Sequence, residues 1–387
     1  MLLFRRINPR ICCKFMVPTL CLLAATSALP ATITAVGLPF APFSNPGHSD
    51  ATGINNGGQV VGYTILISLV ATSTPFLYSN GSVTSILDSL DMRFAQPLAI
   101  NSSGQIVGYD GYAFLISNGQ SHDLNLIATP PAGFSLDSAN AINDSGKIAG
   151  FMSPMVDCEP SCSSMHAFVE SNGAVTDLTT LSGSSYTPQA ALGLNNSGEA
   201  VGYGLDSNGN QEAFQYSNGS VTKLNFTSAN AINSSGEIAG MSGSDAALYD
   251  NGQLTDLGNL GGLSQANALN DQGEVVGVSA LSPQCVLLDN YDCPDEDAFL
   301  YSNGALIDLN SLLPPDSGWQ LYDATGINDS GQIVGDGTLN GQAEGFLLDL
   351  STATPEPGSG ALTAAALGFL FALRIAARRP ASRQNRP

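Results

Sequence analysis

The chain has 387 residues, 12 Lys and Arg against 33 Asp and Glu, and a formal net charge of −21. Four basic residues precede position 29 and five follow position 373, so the body holds only Arg93, Lys147 and Lys223 against 32 of the acids. A body this acidic repels nucleic acid and anionic lipid, which leaves cations, neutral polymers and proteins as partners.

Residues 1–28 read as a signal peptide: a basic start, an apolar run from Phe15 to Ala25, and the small residues Thr26, Ser27 and Ala28 before the expected cleavage point. Three cysteines (Cys12, Cys13, Cys21) belong to this leader. Next comes Ala31–Val36, a strand pattern with no neighbour of its own.

From here to residue 350 one phrase, A-x-x-I-N-x-x-G-x-I-V-G, recurs seven times, with its asparagine at Asn55, Asn101, Asn143, Asn195, Asn233, Asn270 and Asn328. The spacing varies from 37 to 58 residues, as in repeated units that carry insertions. Each unit holds short runs of period two, the pattern of half-buried strands. The third, for example, reads ANAIN, KIAGF, HAFVES and AVTDL. An asparagine that opens a turn bonds the backbone two residues on, and the glycine supplies positive φ, so N-x-x-G predicts a hairpin and a structural role for all seven asparagines. A second signal, Asn-Gly, joins the third and fourth strands at Asn80, Asn118, Asn172, Asn218, Asn251 and Asn303.

A four-stranded antiparallel unit of roughly 40 to 45 residues is a propeller blade. The all-β prediction is a seven-bladed β-propeller spanning residues 29–350, with the small-residue strand at the axis. Unit seven ends without a fourth strand, so the N-terminal strand is expected to complete the last blade and close the ring.

In such a ring the two short, uniform turns share one face. The links of variable length, between strands two and three and between blades, share the other. Specific function is expected on the variable face. Cys158 and Cys162 fall in one of its insertions, Cys285 and Cys293 in another. Blades three and six are not neighbours, so pairing within each loop is favoured and suits an exported protein, with a metal thiolate as the alternative. Asp206, Asn208, Asn210 and Glu212 place oxygens at alternate positions, which fits either a calcium loop or a plain polar turn. The run Asp289–Asp297 carries five acids, read as a weak cation site or a solvated loop.

Past residue 350 come a linker with Pro355-Glu356-Pro357 (351–360), an apolar stretch predicted as a short transmembrane helix (361–377), and a basic cytoplasmic tail (378–387) that begins with Arg378 and Arg379.

The order T-P-E-P-G, apolar helix, arginine cluster resembles the PEP-CTERM sorting signal of bacteria. That resemblance implies recognition by an exosortase-type membrane enzyme, removal of the tail and delivery to the cell surface or exopolysaccharide matrix. The body resembles extracellular HAF repeat proteins through His166-Ala167-Phe168, with Tyr112, Glu212 and Asp297 replacing the histidine in other copies. Such replacement argues against a catalytic histidine, and no enzymatic activity attaches to the motif.

The leading reading is therefore a non-enzymatic surface or matrix scaffold with no cofactor. A calcium-assisted binder of exopolysaccharide is the alternative. A propeller glycosidase or lyase comes third, because His48, His122 and His166 are scattered and no nucleophile motif is present.

Overall fold

A computed structural model describes residues 32–37, 47–66, 72–86, 94–155, 165–183, 185–283 and 295–350. The signal peptide, the cysteines Cys158, Cys162, Cys285 and Cys293, the motif Pro355-Glu356-Pro357, the stretch 361–377, and Arg378 and Arg379 lie outside these residues. Among the described residues no helix is long and apolar enough to cross a membrane.

The strands form seven four-stranded antiparallel sheets, the blades of a β-propeller. Blade three shows the plan, with strands Phe134–Ile142, Ile148–Pro154, His166–Ser171 and Ala174–Asp177 in order from the axis outward. Blade seven takes Trp319–Ile327, Gln332–Leu339 and Gln342–Asp349 from one end of the repeat region and Thr32–Ala35 from the other, in register Thr32 to Asp349. Three single helical turns, Leu124–Ile127, Leu178–Leu181 and Leu309–Leu312, interrupt the links between blades.

The motif residues explain why each blade takes this shape. In blade one the Asn55 side-chain oxygen accepts the amides of Gly57 and Gln59, both at 3.0 Å, and Gly58 closes the turn at φ +72°. The glycine ending the motif answers a different demand. A Cβ on Gly150 would stand 1.9 Å from the Ser138 carbonyl oxygen, so only glycine lets the second strand lie this close to the first.

Apolar burial divides by interface. Seven clusters are present, and each draws its side chains from two adjacent blades. The phenylalanine of the HAF-type strand is the largest contributor, with Phe76, Phe114, Phe168, Phe214, Phe299 and Phe346 all fully buried. Blade five has Ala247 at this place, also buried. Since no cluster is interior to one blade, a single blade has no core of its own to fold around.

Candidate functional site

The motif asparagines do more than make turns. Each side-chain amide also donates to the backbone carbonyl of the next copy's asparagine: Asn55 to Asn101, Asn101 to Asn143, and on around to Asn328, at 2.9 to 3.2 Å. Asn328 donates to Asn55 at 3.0 Å, completing a ring of seven hydrogen bonds around the axis. These residues are only 3–5% exposed, so the bonds are shielded from water.

A second, partial ring sits outside the first. Where the residue after the asparagine is Asp or Asn, its side chain accepts the amide of the preceding blade, as Asp144 does from Ser102, Asn196 from Asp144 and Asp329 from Asp271. The serines Ser102 and Ser234 are too short to reach back, and no such bond is made to either among the described residues. Ser102 also donates its hydroxyl to Asp144, which, with the Ser102 amide and Asn196, holds the Asp144 carboxyl below its ordinary range. Beneath this rim lies a cavity of about 200 Å³ floored by Ile54, Ile100, Ile142, Leu194, Ile232, Leu269 and Ile327. The turn face thus has built polar geometry where the sequence shows only repetition.

Midway along the axis, every inner strand carries a bulge, at Thr52, Leu98, Asn140, Leu192, Asn230, Asn267 or Thr325, and those of blades three, four and seven carry a second at Asp137, Gln189 or Tyr322. The polar members of the first set reach the neighbouring blade. Thr52 donates to Pro97 O at 2.6 Å, Asn140 to Ala191 O at 2.9 Å and Asn230 to Ala266 O at 2.8 Å.

Toward the variable face, the junction of blades seven and one gathers carboxylates. Asp336 accepts the Ala51 amide at 3.1 Å, across the junction. Its cross-strand partner is Asp323, which takes the Asn267 side-chain amide at 2.7 Å. Asp50 faces them from blade one, 3.6 Å from His48 Nε2. Burial pushes the Asp323 carboxyl up to about 7, with Glu296 adding to the shift. Burial also drives Asp336 well above its usual range, with Asp50 and Asp323 adding to it, and it raises Asp50 against the opposing pull of Tyr63 and His48. The sequence reading missed this group, yet a signal existed. Where blade seven has Asp336, the other copies have Tyr63, Tyr109, Phe151, Tyr203, Met241 and Val278.

Of the residues singled out from sequence, Asp206 and Asn210 do come together, but around their own turn. The Asp206 carboxylate accepts the amides of Asn208 and Asn210 at 2.8 and 2.9 Å and the Asn210 side chain at 3.0 Å, and these bonds from Asn210 and Asn208 lower its pKa. Glu212 turns away to Lys223 at 3.0 Å. Among the described residues no three acidic, His or Cys side chains are arranged to hold a metal. His166 bonds Asp177 at 2.9 Å and packs on Phe134 with centroids 4.7 Å apart. The histidine position of the repeat therefore faces the end of the outer strand: His166 opposite Asp177 in blade three, Glu212 opposite Lys223 in blade four.

Eight large apolar side chains are exposed among the described residues, and seven lie in or beside the variable links: Phe94, Tyr109, Leu126, Ile127, Met155, Leu181 and Leu281. Leu126 is the most open, at 82%. Its link does not stay on the variable face as expected. It runs beside the outer strand of blade three, where Thr129 donates to Gly173 O at 2.8 Å.

No family model and no curated protein matches the chain. Among solved structures, a puromycin-hydrolyzing peptidase of Mycobacterium tuberculosis is similar over 83% of this chain and 56% of its own, at 11% identity and a TM-score of 0.50. The chain thus spans little more than half of that protein, and the likeness is one of fold. A gluconolactonase from Xanthomonas campestris shares 13% identity over 83% and 98% of the two chains at a TM-score of 0.36. An oligogalacturonate lyase from Vibrio parahaemolyticus shares 8% over 83% and 97% at 0.42.

Proposed function

We propose that this chain is an exported, non-enzymatic propeller that acts as an interaction scaffold at the cell surface or in the extracellular matrix. The observation that carries the reading is the placement of its exposed apolar side chains. Seven of eight belong to or adjoin the links of variable length, five of them apart from the Leu126–Ile127 link that leaves the variable face, while the turns between strands one and two spend their polar groups on one another. Solvent-exposed apolar residues collected on one set of loops suit contact with a partner.

Export and sorting rest on the leader and on the tail's resemblance to the PEP-CTERM signal, with an exosortase-type enzyme as the processing partner. Replacing Pro355, Glu356 and Pro357 with alanine should leave the chain uncleaved in the membrane fraction, read by its mass and by fractionation. Normal release of that variant would remove the sorting role.

The binding role is tested with the purified propeller on a glycan array and on isolated exopolysaccharide and surface proteins, with calcium and with excess chelator. The scaffold reading expects chelator-insensitive binding that Met155→Asp and Leu281→Asp reduce at least tenfold, about 1.4 kcal/mol. Glycan binding abolished by chelator would favour the calcium-assisted reading and point to Asp206, Asn208, Asn210 and Glu212. Release of new sugar ends from the polysaccharide would replace both with an enzyme.

A further inference from the structure

Nine Asn-Gly pairs occur in the chain, each with its asparagine exposed. The pair carries its own chemistry, because the glycine amide nitrogen can attack the asparagine side-chain carbon Cγ and no Cβ on the glycine obstructs it. Exposure does not distinguish the nine, but hydrogen bonding does.

Four pairs are braced. Gly57, after Asn56, donates its amide to Asn55 Oδ1 at 3.0 Å beside the axial ring. Gly209, after Asn208, donates to Asp206 O at 3.0 Å. In the outer hairpin of blade three Gly173, after Asn172, donates to the Glu170 carboxylate at 2.5 Å, and its carbonyl accepts the Thr129 amide at 2.8 Å. The Asn340 amide is held by Gly318 O at 2.7 Å, in a hairpin between two strands of 8 residues.

The other five, Asn80, Asn118, Asn218, Asn251 and Asn303, turn the outer hairpins of blades one, two, four, five and six. Among the described residues the amides of Gly81, Gly119, Gly219, Gly252 and Gly304 meet no acceptor, and a Cβ on any of these glycines would find nothing within 4 Å. The five asparagines sit at φ from 47° to 53°, and ring closure requires the backbone to rotate away from this turn, so the hairpin must open first. The strands that follow are short and outermost. Ser82–Ser85 and Ser220–Lys223 show the pattern, each with 3 of its 4 residues exposed. Such segments open locally at low cost.

We propose that these five turns are self-modifying sites, where asparagine converts to isoaspartate and aspartate while the braced pairs stay intact. The glycine amide loses its proton to hydroxide, its nitrogen bonds to Cγ, the Cγ–Nδ2 bond breaks, and ammonia leaves with a proton from water. Water then adds to either carbonyl of the cyclic imide and opens it. The sum is asparagine plus water giving acid plus ammonia, with no oxidation. Isoaspartate adds a methylene to the main chain of a turn whose length fixes strand register, so each event loosens an outer strand and adds a negative charge.

The test is peptide mapping by mass spectrometry of the full chain aged in heavy-oxygen water at mildly alkaline pH. Label should enter the five outer turns about tenfold or more faster than the four braced pairs. In urea, where no brace survives, all nine should react at similar rates. Similar rates at both sets in the folded chain would overturn the proposal, and so would intact outer turns in a chain whose unfolded form reacts. Glu170→Ala frees the Gly173 amide and should raise the Asn172 rate severalfold. A folded Glu170→Ala protein in which Asn172 stays slow would overturn the bracing, and the comparison within the unaltered chain decides the proposal whether or not that variant folds.

Discussion

At the scale of single residues, the motif asparagine combines two jobs that are usually separate. In blade five the Asn233 oxygen accepts the amides of Ser235 and Glu237, while its nitrogen donates to Asn270 O at 3.1 Å and to Glu237 at 2.6 Å. Removing the side chain strands two part-buried amides and takes one of two donors from the Asn270 carbonyl, which keeps the Gly273 amide at 3.1 Å. Asn233→Ala should therefore cost about 2 kcal/mol in urea denaturation, from two amides left without their acceptor and one lost inter-blade bond. Asn233→Asp sharpens the test. It keeps the acceptor, loses the donor and sets a carboxylate beside Glu237, so its deficit at pH 7 should be similar and should shrink as the pH falls towards about 4. A deficit for Asn233→Asp that stayed constant with pH would mean that the inter-blade bond contributes little.

At the scale of the blade, close approach of the first two strands is the limiting geometry. Gly150→Ala puts a methyl carbon 1.9 Å from Ser138 O and 3.1 Å from the Ala139 Cα, both backbone atoms that cannot swing aside. The expected cost is about 3 kcal/mol or more, enough to lower the midpoint sharply or prevent folding. Gly111 is the control: it has φ +72° with nothing within 4 Å of an added Cβ, so Gly111→Ala should cost about 1 kcal/mol, the left-handed backbone penalty alone. Equal losses would show that backbone conformation, not contact, sets the glycine requirement.

This scale also shows what a sequence exposes and what it hides. Blade number, strand count and hairpin turns were legible because Asn143 and Gly146 act within their own turn. The ring was not, because the asparagine nitrogen's partner in the next blade is a backbone carbonyl 37 to 58 residues away, or 273 for Asn328, with no side-chain signature. The inner-strand bulges were equally hidden. Thr52, Leu98 and Asn140 occupy the same bulge with unrelated side chains, so no residue type marks it. Asp336 was visible as a break in the repeat, but its meaning depends on Asp50, which the fold brings from the other end of the propeller.

For the whole molecule, charge is the unbalanced quantity. The body sets 32 acids against Arg93, Lys147 and Lys223, and among the described residues Lys223 with Glu212 is an ion pair, while His48 with Asp50 and His166 with Asp177 are ionic only when the imidazole is protonated. Most carboxylates therefore repel one another through solvent, and the compact ring holds them closer together than the unfolded chain does. Raising sodium chloride from about 10 to 300 mM shortens the screening length from about 30 Å to below 10 Å, so the melting temperature at pH 8 should rise by several degrees. A fall would mean that attractive pairs outweigh the net repulsion.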